Sequence, residues 1–520
     1  MPDQNIVRPP DHVVQTESLL LGAVRQLLLE RHPQLQPRHV DFLCAPWAHF
    51  FTHSALHRLE SCGGQPAGDH RAGPLTSADR QRAVPGDTLA FMEFFRTPAY
   101  RVYLDQTLAG AAAAPACRTG IHVLEEKLPA YARTVAFMSC LPRNFRYLLQ
   151  LYSLGRIRFL ENKPGSLDVE TDWTVRAELS RRVQAALAGA LPEAAAWLGA
   201  RVQELFPKSL LEHLAANLQQ KQRRPARRTL FSADGWQIID DWKIYALAQK
   251  TGHGARWIGM PNAISHGSLA VFWQREFETS HMDSYLTWGW SREGAPHVHP
   301  FYSPHFAGQQ QATPARTSKP GGILISSAAR PQHLLEYPYT PDRFERYLRT
   351  QLDLAVRAQQ LTGEQVTIRT RPRDLGWDVK EMVRALDNDR VTLEFQAGKF
   401  AERLQQSWLH ICDNCSTTIV ESLWANHPTL ILIDGGYFQL HPAARDEYDA
   451  LEKAGIFHRS AASLLLQLES IQADVCGWWT QPATQQAIRQ FLARQGNEHS
   501  SLPEWRRALL DRPVQQSTIR

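Results

Sequence analysis

Four short stretches carry residue types that could handle a phosphate and a proton. The first, DNCSTT from Asp413 to Thr418, sets the hydroxyls of Ser416, Thr417 and Thr418 behind an acid. Hydroxyls that open a helix join free backbone N–H groups and the positive end of the helix dipole, a combination that suits an anion. The plain alternative is that Ser416 and Thr417 only cap the helix. The second stretch, RTRPR from Arg369 to Arg373, supplies guanidinium forks that match phosphate oxygens. The third, ISHGS from Ile264 to Ser268, places His266 before Gly267, and an imidazole can take the proton of an acceptor hydroxyl. The fourth is an Asp-Gly-Trp turn at Asp234, whose carboxylate is a second candidate base or simply a turn former. No G-x-x-x-x-G-K-[ST] and no G-x-G-x-x-G is present, so kinase, ATPase and dinucleotide oxidoreductase readings lose their usual support.

These stretches need rigid elements to aim them. Leu409–Cys412 and Thr429–Ile433 are short apolar runs suited to parallel strands covered on both faces, and Thr417–Asn426 between them has helix length and an apolar stripe. Ligands of open α/β sheets lie at the carboxyl ends of the strands, which is where Asp413 to Thr418 falls. Upstream, Ile323–Ser326, Val366–Thr370 and Val391–Phe395 read as strands, and Pro341–Leu361, Trp377–Leu386 and Lys399–Gln406 as helices. Alternation along the second of these strands puts Arg369 and Arg371 on one face, with Arg371 beyond the strand end and freer to reach a cleft.

The spacing predicts an α/β protein with two Rossmann-like domains facing across a cleft. An N-terminal α/β domain on the attacking side spans 1–307, a Gln, Thr, Pro and Gly-rich linker 308–322, a Rossmann-like domain with the phosphate-suited loops 323–440, and a mainly helical region 441–520. The first domain is harder to read. Ser18–Arg31 is a Leu-rich helix, Val40–Pro46 reads as a strand, amphipathic helices lie between Leu89 and Leu218, and the block from Leu230 runs strand, Asp-Gly turn, helix, strand, then a loop bearing His266.

The chain has 520 residues, 43% hydrophobic and 21% charged, with a net charge of +5. That length calls for two large domains. No run approaches the ~20 apolar residues that cross a bilayer, and MPDQNIVRPPDH has no secretory pattern, so a cytoplasmic protein is expected. Seven scattered cysteines point to free thiols, and the lone C-x-x-C at Cys412 and Cys415 lacks further ligands for zinc. The mild positive charge permits an anionic substrate or membrane surface and does not call for nucleic acid. The basic run KQRRPARR, Lys221 to Arg228, is either a solvated loop or a docking patch for an anionic lipid-linked acceptor.

The blocks DGWQIIDDWKIYALAQKTG, SHG, DSYLTWGW and DNCSTTIVESLWANHPTLIL, in this order, resemble a bacterial family of surface-carbohydrate transferases associated with O-antigen or capsule synthesis. The C-terminal half is similar to GT-B capsular Kdo transferases and teichoic-acid glycerophosphotransferases, and the resemblance covers roughly Ser232 to Ile433. It implies that Ser416 and Thr417 contact the donor phosphate, that Arg369 or Arg371 neutralises it, and that Glu421 faces the nucleotide's ribose or base. It makes His266 a candidate base. There the chain departs from the family pattern, with Ser265 where a glutamine is expected and Ser268 where a second glycine is expected, so Asp234 stands as the substitute base.

The resulting expectation is a metal-independent GT-B glycosyltransferase with no bound cofactor. It would move a sugar from a nucleotide donor to a glycan or lipid-linked glycan acceptor, at the inner face of the cytoplasmic membrane. A cytidine-activated donor such as a CMP-ulosonic acid is favoured, since one phosphate at the leaving bond matches one helix end with two hydroxyls and one or two arginines. Arg330 would be available to the donor's carboxylate. The alternatives are a sugar-nucleotide 2-epimerase of the same architecture and a non-catalytic nucleotide-sugar-binding protein.

Overall fold

The computed structural model describes residues 8–61, 84–109, 120–165, 169–312, 321–328, 340–371, 375–395, 398–496 and 500–511. Its first eight strands are β1 (Gly120–Val123), β2 (Thr134–Phe137), β3 (Ile157–Phe159), β4 (Asn162–Gly165), β5 (Thr229–Ser232), β6 (Arg256–Gly259), β7 (Ser284–Trp288) and β8 (Val298–Phe301). Six more follow: β9 (Ile323–Ser326), β10 (Val366–Thr370), β11 (Val391–Phe395), β12 (Leu409–Cys412), β13 (Thr429–Leu432) and β14 (Phe457–His458). β1 and β4 form a small antiparallel pair. The others build two six-stranded sheets, β3-β2-β5-β6-β7-β8 and β11-β10-β9-β12-β13-β14, in which neighbouring strands run parallel.

These are the two Rossmann-like lobes that the alternation of strands and helices implied. Strand order reverses between β2 and β5 in the first lobe and between β9 and β12 in the second. A crevice opens beyond the carboxyl ends of strands at each reversal. Asp234 follows β5 and Ser416 follows β12, so the candidate residues stand at both crevices.

Local sequence accounts for most of the second lobe. β9, β12 and β13 are buried along their whole length, as parallel strands covered on both faces must be. The helix Pro341–Thr362 opens with proline in its first turn and ends on Gly363 at φ 67°. Its buried Phe344, Tyr347, Leu348, Gln351, Leu352 and Ala355 follow the helical period.

One expectation for the first lobe is corrected. Val40–Pro46 is not a strand; it lies within the 25-residue helix Pro37–Ser61, with Pro46 inside it. This helix is buried on nearly every side, so its apolar run has no polar face to reveal a helical period. The region between Leu89 and Leu218 also contains β1 to β4, of which β2 pairs directly with β5. The chain then returns at its far end. β14 completes the second sheet, whereas the helix Leu502–Leu510 lies on the first lobe, where Trp505 packs at 5.0 Å from Phe301 and Thr134 Oγ1 donates to the Leu509 carbonyl at 2.7 Å.

Candidate active site

The turn after β5 is built to project Asp234. Ser232 Oγ accepts from the Gly235 amide at 2.8 Å, and the buried Trp236 indole donates to the Ser232 carbonyl at 2.9 Å. A Cβ at Gly235 would stand 2.8 Å from the Phe137 ring and 2.9 Å from Ser232 Oγ, so a side chain there would break the turn. Asp234 remains partly exposed and accepts from Asn262 Nδ2 at 2.6 Å. Burial, and then the charge of Glu278, push its pKa up to about 7, while Asn262, Arg96 and Arg371 act the other way. A carboxylate so placed is half-ionised at neutral pH, which suits a general base.

His266 lies in a single helical turn, Ser265–Ser268, and not in an open loop. Its side chain is fully buried: Nδ1 is 3.2 Å from the Ala263 carbonyl, Nε2 is 3.6 Å from Glu278 Oε2, and Phe272 packs edge-on against the ring at 4.7 Å. Glu278, also buried, accepts from Tyr285 at 2.7 Å, Gln274 at 3.1 Å and Gln237 at 3.2 Å. One departure from the family pattern, Ser268, has a structural role. Ser268 Oγ accepts from Tyr448 at 3.0 Å and its carbonyl from the His441 amide at 2.7 Å, which ties the turn to the far part of the chain. Gly267 lets the Trp290 indole close over it, since a Cβ would meet that ring at 2.5 Å.

Across the cleft, the hydroxyl cluster sits where the strand-turn-helix pattern puts it. Ser416 is the N-cap residue of the helix Thr417–Trp424, yet its side chain makes no capping bond; its Oγ lies 2.6 Å from Thr418 Oγ1, which in turn meets Cys412 Sγ at 3.2 Å. Thr417 is partly exposed and its hydroxyl bonds to no described residue. The helix end therefore keeps N–H groups that its own N-cap side chain does not satisfy. Glu421, one turn on, has its pKa pushed up to about 7 by burial, with Arg369 opposing.

The remaining candidates divide. Asp413 is buried, and its oxygens are taken by Tyr347 OH at 2.6 Å and by Gln351 Nε2, so it ties β12 to the helix Pro341–Thr362. Burial raises its pKa to about 6. Arg369 is nearly buried and donates to Glu394 Oε1 at 2.7 Å and to the Gly398 carbonyl at 3.0 Å. Arg371, past the end of β10, is exposed, and its charge reaches Asp234. Arg330, Arg373 and positions 313–320 of the linker lie outside the described residues. The fold thus gathers Asp234, Asn262, Glu278 and Arg371 into one charge-coupled group, and Ser416, Thr417, Thr418 and Glu421 into another. It buries His266 and Asp413 among structural partners. Asn262 and Glu278 were not singled out from sequence, because a lone amide after a proline and a glutamate on a short charged helix read as solvated positions.

Cys412 and Cys415 are buried free thiols. Among the described residues one set of side chains could hold a metal ion: Glu17, on the helix Asp11–Arg31, with His49 and His53 one helical turn apart. Glu17 Oε2 already bridges His49 Nδ1 at 3.2 Å and His53 Nε2 at 3.1 Å.

The family model of the LIC12162 family transferases matches residues 117–509, well over half of the chain. The chain belongs to this family. No curated protein matches it. Among solved structures, this LIC12162 family transferase is similar to a mutant of S. aureus TarM in complex with fondaparinux, alpha-GlcNAc-glycerol and UDP, at 9% identity and a TM-score of 0.38 over 57% of this chain and 59% of that one. It therefore spans about three fifths of TarM. It is also similar to Acinetobacter baumannii MurG, at 11% identity, a TM-score of 0.34 and coverage of 72% and 98%. Rickettsia bellii UDP-N-acetylglucosamine 2-epimerase gives 11% identity, a TM-score of 0.33 and coverage of 72% and 98%. Among the described residues no helix is long and apolar enough to cross a membrane.

Proposed function

We propose that this LIC12162 family member is a glycosyltransferase of bacterial surface-carbohydrate synthesis, working at the inner face of the cytoplasmic membrane. The observation that carries this reading is the opposition of two crevices, one presenting a carboxylate with pKa about 7 and the other a helix end with hydroxyls and an arginine. In this reading Asp234 removes the proton from an acceptor hydroxyl as its oxygen attacks the anomeric carbon. The bond from that carbon to the donor phosphate breaks, and the phosphate departs with the electron pair. Arg371, the Thr417 and Thr418 hydroxyls and the amides of the helix end would hold the developing charge. Arg330 is the candidate partner for a donor carboxylate, and Glu421 for the nucleotide's ribose or base. Asn262 and Glu278 position Asp234 and set its pKa, and the buried His266 acts through Glu278.

The donor we favour is cytidine-activated, a CMP-ulosonic acid, because one helix end matches one phosphate at the leaving bond; CDP-glycerol ranks behind it, since it would be attacked at phosphorus with CMP leaving and would transfer glycerol phosphate in place of a sugar. The guanidinium and helix-end donors supply the charge that a divalent cation would otherwise bring, so transfer is expected to survive chelation.

The test is incubation of the full chain with CMP-, CDP-, UDP- and GDP-activated donors, with and without a glycan acceptor. Release of nucleotide that requires acceptor, and is lost in Asp234→Asn, is the expected result. Interconversion of the donor sugar without acceptor would instead establish an epimerase. Tight binding with neither transfer nor donor hydrolysis would mark a binding protein.

A further inference from the structure

Seven of the ten large apolar side chains exposed among the described residues fall between Tyr131 and Leu154. The helix Arg143–Tyr152 turns Phe145 and Leu149 inward and leaves Tyr147, Leu148, Leu151 and Tyr152 outside. These four share one side of the helix by three- and four-residue spacing. Leu151 is 73% exposed, and Leu154, just beyond the helix, is 79% exposed. Leu154 has φ 52°, an unfavourable value for a side chain of its size, and Gly155 follows at 71°. The loop thus holds an apolar tip outward at some backbone cost. Tyr131 extends the same surface, since Arg158 Nη2 donates to its hydroxyl at 2.7 Å and its ring lies against Gly155.

The charge around this ridge is mainly positive, with Glu161 the acid whose charge reaches Arg143. From Leu128 to Leu160 the sequence contains five arginines and no acidic residue. Arg143 and Arg158 lie over the rings of Tyr147 and Tyr131, at 5.7 and 5.8 Å, so the guanidinium groups flank the apolar side chains. Leucine and tyrosine framed by arginine fit the level of lipid headgroups. A second copy of the chain is a poorer occupant, because a shared interface would bring ten arginines together.

The geometry points to the Arg143–Tyr152 helix and the Leu154 loop as a docking surface for an anionic phospholipid bilayer. In the basic run Lys221 to Arg228, read from sequence as a solvated loop or a docking patch, two of the five cations are turned inward. Lys221 is buried between Glu125 at 3.0 Å and Asp241 at 2.8 Å, and Arg227 is buried and donates to the Pro129 and Ala132 carbonyls. The surface runs from the end of β2, where the Met138 carbonyl accepts from the Ala233 amide at 3.2 Å, along the Arg143–Tyr152 helix to Leu154 just before β3. Its most exposed residues, Leu151 and Leu154, thus lie toward the amino ends of the parallel strands, away from Asp234. The docking does not rest on the proposed function.

Co-sedimentation of the full chain with vesicles of phosphatidylcholine, with or without phosphatidylglycerol, tests it. Binding is expected with phosphatidylglycerol vesicles and should fall as salt rises. Arg143→Gln should weaken it about fivefold, the effect of one basic residue near such a surface. The double variant Leu151→Glu, Leu154→Glu should stay in the supernatant while keeping its helical circular dichroism and its nucleotide binding. Failure of the full chain to sediment, sedimentation of the double variant like the parent, or a dimer by light scattering that the variant dissociates would each overturn the assignment. Loss of transfer chemistry with vesicle binding intact would overturn only the functional reading.

Discussion

Arg371 lies on the second lobe and Asp234 on the first, and the guanidinium charge of the one lowers the pKa of the other across the cleft. Burial and Glu278 outweigh it, so Asp234 still titrates at about 7. A phosphate seated on Arg371 would offset the guanidinium charge that Asp234 feels and so favour its protonated form.

If Asp234 is the base, the rate should fall as pH drops below about 7, because the protonated carboxyl cannot accept the acceptor's proton. Asp234→Asn should lower turnover about 10²–10⁴-fold, the usual contribution of a general base. Its residual rate should lack the acidic limb, and a pH–rate profile of the variant superimposable on that of the parent would count against the assignment.

Stability should move the opposite way from that of a salt-bridged carboxylate. Asp234, Asp413 and Glu421 have pKa values raised to about 7, 6 and 7. They bind protons more tightly folded than unfolded, so their contribution is complete below the ordinary carboxylate range and is lost as pH rises through about 6 to 7. Glu421→Gln should flatten this decline in denaturant titrations at pH 5 and pH 8. An unaltered slope would mean that Glu421 titrates normally.

The two arginines of the β10 end should fail differently. Arg369→Ala removes a nearly buried partner of Glu394, although Arg403 still reaches that carboxylate at 2.6 Å. The cost should then be about 2 kcal/mol, below the 3–5 of a fully orphaned buried ion pair. Arg371→Lys should keep the fold, read by circular dichroism, and impair transfer, because the ammonium loses the fork geometry. Full activity of the lysine variant would remove Arg371 from the phosphate site.

Thr417→Val keeps the shape of the side chain and deletes a hydroxyl that bonds to no described residue. Nucleotide binding should weaken by about 1.5–3 kcal/mol, the range for a hydrogen bond to a charged group. Calorimetry giving unchanged affinity in a folded variant would return the hydroxyl to a local structural role.

Thermal shift with CMP, CDP, UDP and GDP separates the donors. A ligand at 100 times its dissociation constant adds about 2.7 kcal/mol to stability. CMP is expected to stabilise most. Stabilisation by UDP or GDP alone would end the cytidine reading and leave transfer chemistry open.

The second lobe was legible in the sequence because its signals are local. ILIS, VTIRT, LHIC and TLIL are apolar strands with turns at their ends, and the Pro341–Thr362 helix carries a periodic stripe, a first-turn proline and a terminal glycine. The crevice positions of Asp234 and Ser416 follow from the same strand-turn-helix pattern. The spacing of Arg369 and Arg371 likewise foretold that only the latter lies past the strand end. Where a residue's environment came from distant chain, sequence was mute. Val40–Pro46 is helical because other helices and the sheet enclose it, and enclosure erases periodicity. Lys221 and Arg227 read as a charged loop until Glu125, Asp241 and the carbonyls near Pro129 are brought to them.

The sequence by itself determined the alternation of strand and helix, the two lobes and the loops in which chemistry could occur. Only the tertiary structure decided which of those groups face the cleft and which serve the core. His266 is buried on Glu278, twelve residues on, and Asp413 is held by Tyr347 and Gln351, more than sixty residues back. Tertiary structure also drew Asp234 and Arg371 into one electrostatic field. The physical reason is range: periodicity and turn chemistry act over a few residues, whereas burial, hydrogen-bond partnership and charge coupling depend on what the fold brings within a few ångströms.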